Sequence, residues 1–296
     1  MTASRTPSSS QNHAWTKKHR WAIPALLQVL AMIGIGAILY SNAADWFATR
    51  HHGSEMSGYV ESVERLPSAE RIAEAQRARE YNAHLPHGML RDPYLNPMDS
   101  DEEDAAYAAY QQILRVSDNA VMGELTYPRL GIGLPMYHGT SDAILARGVG
   151  HLYGSSLPVG GISTHSVLTS HSGLVHASLF SKLPKATVGD TFRIEVLGEE
   201  HYYRVESIET VLPEDTESLQ IVAGEEHVTL VTCTPIGVNT HRLLVHGVRI
   251  ASPHDDGLGL RSFTAHENGA GFPWWLVWFV EQRRSEERRE GKECKS

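Results

Sequence analysis

The chain has 296 residues and a formal net charge of −9, from 26 Lys and Arg against 35 Asp and Glu, which is not the balance of a nucleic-acid binder. A hydrophobic share of 41% with 21% charged residues excludes wholesale disorder and allows one large domain or two of ordinary size. Two cysteines, Cys233 and Cys294, exclude a multi-disulfide scaffold and a Cys-rich zinc module, and no HExxH, Walker A or GxGxxG pattern occurs.

Residues 1–20 are polar and end in Lys17, Lys18, His19 and Arg20; residues 21–40 then carry no formal charge. About 20 residues at ~1.5 Å each span the ~30 Å hydrocarbon core of a bilayer. The expectation is a retained transmembrane anchor with a cytoplasmic N-terminus, the basic cluster setting the orientation, and everything from residue 41 on extracellular. A cleaved signal peptide is the alternative, although the apolar run exceeds the usual length of such a segment.

Residues 41–118 read as an extracellular helical region. The stretch 68–85 has helix-forming composition with Ile72, Ala75, Ala78 and Leu85 as an apolar stripe, and 100–114 opens with a Ser100/Glu103 capping box and aligns Tyr107, Tyr110 and Leu114. Between them, 84–99 holds Pro86, Pro93 and Pro97 and cannot continue either helix.

From 119 to 251 the pattern is one of short strands separated by turn residues, within 122–137, 164–171, 191–211, 227–233 and 240–250. Alternation is clearest at Phe192, Ile194 and Val196, and 197–200 suggests a hairpin tip. Strand after strand with few helices predicts a mostly β fold, a closed or nearly closed barrel. Residues 252–270 read as a linker. Residues 271–280 are apolar and tryptophan-rich but too short to span a bilayer, and are expected to open a second, truncated membrane helix. Within the tail 281–296, the stretch 284–294 resembles the translation of a sequencing-library adaptor, so Cys294 is assigned no role.

Cys233 ends the apolar strand 227–232 where a loop with Pro235 and Gly237 begins, and Arg242 starts the next strand. If those strands are neighbours, the two side chains meet at one rim. His171 follows the apolar strand 166–169, just before Ser172 and Gly173. A thiol, an imidazole and a guanidinium at strand ends suit nucleophilic catalysis. Each also has a plainer reading: a buried small hydrophobe for Cys233, a solvated ring for His171, a surface charge for Arg242. His151, His165, His176 and His241 are equally available, and the residues alone do not choose among them. No histidine pair sits at ligand spacing with a carboxylate, so neither a metal nor another cofactor is expected.

The stretch TLVTC at 229–233, with TPIGVNTHRLLVHG after it, resembles the active-site strand, loop and arginine strand of sortases, the cysteine transpeptidases of Gram-positive cell surfaces. Residues 151–174, HLYGSSLPVGGISTHSVLTSHSGL, resemble the sortase histidine region and align His171 with the family's catalytic histidine. Asp92, Pro93 and Tyr94 resemble the lid motif of the pilus-assembling class C sortases. The likeness covers most of 20–280. Three positions depart from it: Ser170 where glycine is usual, Ser172 where arginine is common, and His246 where arginine is frequent.

The resemblance implies a sortase-type closed β-barrel at 119–251 with an N-terminal helical and lid segment and flanking transmembrane helices. It implies Cys233 as nucleophile on an LPxTG-like sorting signal, His171 as general acid and base, and Arg242 as stabiliser of the oxyanion and substrate. The partners it implies are pilin subunits that bear such signals and an acceptor lysine, with the membrane and without nucleic acid. In the lid, Asp92 would pair with Arg242 while Tyr94 covers Cys233 and Pro93 restrains both. A housekeeping sortase that anchors proteins to peptidoglycan is the nearest alternative. From another class, a membrane-tethered barrel that only binds pilin or wall peptide would leave the cysteine buried.

Overall fold

The computed structural model describes residues 12–85, 94, 105–252 and 273. Asp92, Pro93, the Ser100/Glu103 capping box, nearly all of the 271–280 segment and the 281–296 tail lie outside the described residues.

The chain divides into two compact units, residues 1–43 with 274–296, and residues 44–273. Helix α1 runs Asn12–Arg65. From Pro24 it is the one helix among the described residues long and apolar enough to cross a membrane. Within the second unit, its later turns bury His52, Met56, Tyr59 and Val63, spaced four, three and four apart as one helical face requires. Tyr59 Oη donates to the Met122 carbonyl (3.1 Å) and accepts from the Leu197 amide (2.8 Å), which ties this face to the barrel. The sequence gives this part little helical signal, because Gly53 and Gly58 lower its propensity and its buried face includes a histidine and a tyrosine.

Pro67 keeps the residue before it out of helical geometry and so separates α1 from α2, Ser68–Ala83. Of the expected stripe, Ala75 and Ala78 are buried but Ile72 is 68% exposed; Glu74 takes the buried face instead, where Oε1 accepts from the Leu114 amide (2.6 Å). The helix expected over 100–114 is described only as α3, Ala105–Tyr110. Leu114 is fully buried with φ +63°, a left-handed conformation that a continuing helix does not allow.

Eight strands close into a barrel in the order β1-β2-β3-β4-β7-β8-β6-β5. They are β1 Gly123–Tyr127, β2 Ile132–His138, β3 Val149–His151, β4 Thr164–Thr169, β5 Thr191–Val196, β6 Glu199–Val211, β7 Glu226–Thr234 and β8 His241–Ile250. Helix α4, Asp142–Arg147, precedes β3. The β2/β3 and β4/β7 pairs are parallel and the rest antiparallel. Leu168, Val228, Leu230, Leu243 and Val245 join the main core with Phe192 and Ile194. On the alternate face, Val167, Val231 and Leu244 form a second cluster with Leu152 and with Leu219 of the β6–β7 connection. The β5–β6 tip is tighter than 197–200: Glu199 and Glu200 already pair with Val196 and Glu195, and Leu197 (φ +54°) and Gly198 (φ +79°) alone make the turn.

Candidate active site

Topology brings the chemistry together. Strand β7 lies between β4, which is parallel to it, and β8, which is antiparallel, so the ends of β4 and β7 and the start of β8 share one rim. Cys233 and Arg242 are direct cross-strand partners there, on the same face of the sheet. Both are buried, at 7% and 5% exposure. One nitrogen of the Arg242 guanidinium donates to the carbonyls of Asn239 (3.0 Å) and His241 (3.2 Å), so the β7–β8 turn fixes this side chain at the rim.

His171 lies two residues beyond β4, in a segment held on both sides. The Ser170 amide donates to the Val231 carbonyl (3.2 Å) and Ser170 Oγ to the Gly148 carbonyl (2.6 Å). Ser172 Oγ donates to the carbonyl of Cys233 itself (2.8 Å). Gly173 adopts φ +76° with its α-carbon against the Ile236 side chain, where a Cβ would collide. Thus the serines at 170 and 172, which depart from the sortase pattern, both join the histidine segment to neighbouring strands. Nε2 of His171 lies 3.8 Å from Oδ1 of Asp142, the first residue of α4. Among the described residues the ring makes no hydrogen bond. Burial lowers its pKa and the Asp142 carboxylate partly opposes that, so at neutral pH the imidazole is uncharged and able to accept a proton.

Tyr94 lies against the same rim. Its hydroxyl donates to the Ser170 carbonyl (2.6 Å) and accepts from Thr169 Oγ1 (2.7 Å). The ring lies 4.9 Å from the Arg242 guanidinium carbon, a cation–π contact, and 5.8 Å from the His171 ring. Burial, and then the neighbouring Cys233, push the phenol pKa up, so it stays a donor. The side chain packs against the cluster that contains Val231 and Leu244. Of the six residues singled out from the sequence, Cys233, His171, Arg242 and Tyr94 converge; Asp92 and Pro93 lie outside the described residues. Asp142 carried no sequence signal, because its nearness to the site arises only when β3 pairs with both β2 and β4 and sets α4 beside the end of β4. Among the described residues no group of three His, Cys, Asp or Glu could hold a metal ion.

The Sortase domain family matches residues 125–250. Sortase A of Streptococcus agalactiae is 30% identical over 129 residues, 43% of this chain and 51% of the relative; the chain thus spans about half the length of that curated relative. Among solved structures, sortase C-1 of Actinomyces oris is 43% identical, with a TM-score of 0.60 and coverage of 62% of this chain and 99% of that one. A pilus-related sortase C of Group B Streptococcus is 40% identical, with a TM-score of 0.59 and coverage of 66% of this chain and 97% of that one.

Proposed function

We propose, on the premise that this chain belongs to the sortase family, that it is a membrane-anchored cysteine transpeptidase with Cys233, His171 and Arg242 as its reacting groups. The observation that carries this reading is the direct opposition of Cys233 and Arg242 across the β7/β8 ladder, with the His171 segment bonded to the Cys233 carbonyl through Ser172. The Cys233 thiolate attacks the carbonyl between Thr and Gly of an LPxTG-like sorting signal. Oxygen charge develops in that step, and the guanidinium, which never loses its proton, donates hydrogen bonds to it. His171, uncharged at neutral pH, takes the proton that the Cys233 thiol loses, passes it to the departing amine and later takes one from the incoming amine. An amine that outcompetes water makes the product a new peptide or isopeptide bond rather than an acid.

The class C assignment rests on Tyr94, seated over Arg242 with its hydroxyl on the Ser170 carbonyl, and on similarity to a pilus-related sortase C. On that assignment the substrates are pilins, the acceptor is a pilin lysine, and the product is a covalent polymer. The apolar part of α1 is the anchor, with Lys17, Lys18 and Arg20 on the cytoplasmic side and the barrel outside. The test uses the full chain in detergent, mixed with a peptide carrying Leu-Pro-x-Thr-Gly, and looks by mass spectrometry for an acyl adduct on Cys233. Cys233→Ala should keep the barrel, since it trims one sulfur at a strand end, and should give no adduct. Peptide turnover by that variant sinks the assignment.

A further inference from the structure

The Asp142 carboxylate is 85% exposed, whereas the His171 side chain it faces is 23% exposed. Ser141 caps α4 by accepting from the Ile144 amide (3.4 Å), which sets Asp142 at the first helical position beside the imidazole. Their separation, 3.8 Å from Oδ1 to Nε2, is too long for a hydrogen bond. It is therefore not the contact of an aspartate that orients a histidine. In the tautomer protonated at Nδ1, Nε2 and Oδ1 are two acceptors 3.8 Å apart, close enough for one donor atom to serve both. Among the described residues Asp142 makes no other ion pair, and the neighbouring Ser172 hydroxyl is turned away to the Cys233 carbonyl.

One nitrogen about 2.8 Å from both acceptors would subtend roughly 85° between them, given the 3.8 Å gap. Two N–H bonds of an ammonium diverge by about 109°, so each hydrogen bond bends by only some 10–15°, within the tolerated range. A neutral hydroxyl has one proton to donate to two acceptors, and a water, which has two, brings no positive charge to the carboxylate.

We propose that Asp142 and His171 form the receiving site for the acceptor amine, with Asp142 selecting a lysine-type primary ammonium. This rests on the reading of Cys233 as the acyl carrier. The ammonium brings three protons. One leaves to solvent past the exposed carboxylate and frees the nitrogen lone pair, one passes to His171 Nε2, and one stays on the amide. The new C–N bond forms as the C–S bond breaks, and the sulfur departs as a thiolate beside the imidazolium. Asp142 thereby acts on which nucleophile is used.

The experiment measures how the acyl-enzyme of the full chain in detergent partitions between amide and acid products. Two nucleophiles are compared, Nα-acetyl-lysine amide, which is cationic at neutral pH, and hydroxylamine, which is not. For Asp142→Asn the partition toward the lysine product should fall about fivefold, the scale of one exposed ion pair, while the hydroxylamine partition holds. Asp142→Glu should recover most of the lysine product. Equal falls for both nucleophiles, or no fall for either, overturn the inference. If the parent chain forms no adduct on Cys233, the transpeptidase reading fails and takes this inference with it; if the adduct forms and the lysine partition does not move, only the role of Asp142 is lost.

Discussion

Polar side chains gather twice along the outer face of β4, β7 and β8. One gathering is the rim with Cys233; the other lies four cross-strand pairs along the β7/β8 ladder on the same face, at Thr229 and its partner His246. At this inner end, Thr229 Oγ1 sits between His165 Nε2 (2.7 Å) and His246 Nδ1 (2.8 Å). The remaining ring nitrogens reach the Gln220 carbonyl (2.9 Å) and Glu209 Oε1 (3.0 Å). Every ring nitrogen is therefore spent, and burial holds the His165 pKa down to about 4. At the rim the His171 ring makes no hydrogen bond among the described residues, and its nearest ionic partner stands 3.8 Å off. Val167, Val231 and Leu244 form an apolar layer between the two ends. Both ends use histidine beside hydroxyls and a carboxylate. What sets the rim histidine apart is that, among the described residues, its ring is left without hydrogen-bond partners, and this is the state that a proton-transfer group requires.

The largest test of this contrast is acid. Burial lowers His151 to about 3 and His138, His165 and His201 to about 4 in the folded chain, against 6.5 unfolded. Below pH 6.5 the unfolded chain binds protons that the folded one refuses, so stability is full above 6.5 and is lost as pH falls toward 3–4. Each ring should contribute on the order of 1–2 kcal/mol of loss between pH 6.5 and 5, above the range where ordinary carboxylates titrate. Denaturant midpoints across that interval measure it; a flat profile would mean that these four histidines are not held neutral by burial.

Next in size is the rim. Arg242→Lys keeps the charge but loses the planar fork of donors, and acylation by a sorting peptide should slow on the order of 10²-fold, as when an oxyanion donor is removed. An unchanged rate would make Arg242 a structural partner of the β7–β8 turn. Smaller still is Tyr94→Phe, which leaves the ring over Arg242 but removes the hydroxyl bonded to Ser170 and Thr169. At ~0.5–1.5 kcal/mol for one such bond, thiol labelling of Cys233 should quicken about two- to tenfold. If labelling keeps its parental rate, the hydroxyl does not fasten the cover.

The barrel was legible because Phe192, Ile194 and Val196 alternate and because the strand segments are bounded by turn residues. Strand β3 was not, since three residues cannot display a period. The packed half of α1 was hidden by glycines and by a buried face that includes His52 and Tyr59. At the rim, strand ends suggested Cys233 and Arg242, but five histidines stood open and only resemblance to sortases pointed to His171. Two of the others are held by hydrogen bonds at both ring nitrogens. His165 is spent at both nitrogens, and so is His151, which meets Tyr110 Oη (2.8 Å) and the Ser156 carbonyl (2.8 Å). Partnering of this kind depends on contacts between distant segments, such as His151 with Tyr110, and a linear sequence does not display it.

The most direct measurement of the central claim takes His171→Gln and His165→Gln side by side, recording the rate of acyl-adduct formation on Cys233 and the thermal midpoint of each. His171→Gln should lose on the order of 10²- to 10⁴-fold in rate with its midpoint kept, because the step it removes is proton transfer. His165→Gln should lower the midpoint by several degrees, about what 1–3 kcal/mol of broken buried hydrogen bonding implies, while its folded fraction still acylates. The opposite pattern, a fast His171→Gln and a stable but inactive His165→Gln, would place the proton transfer at the inner end and contradict the account.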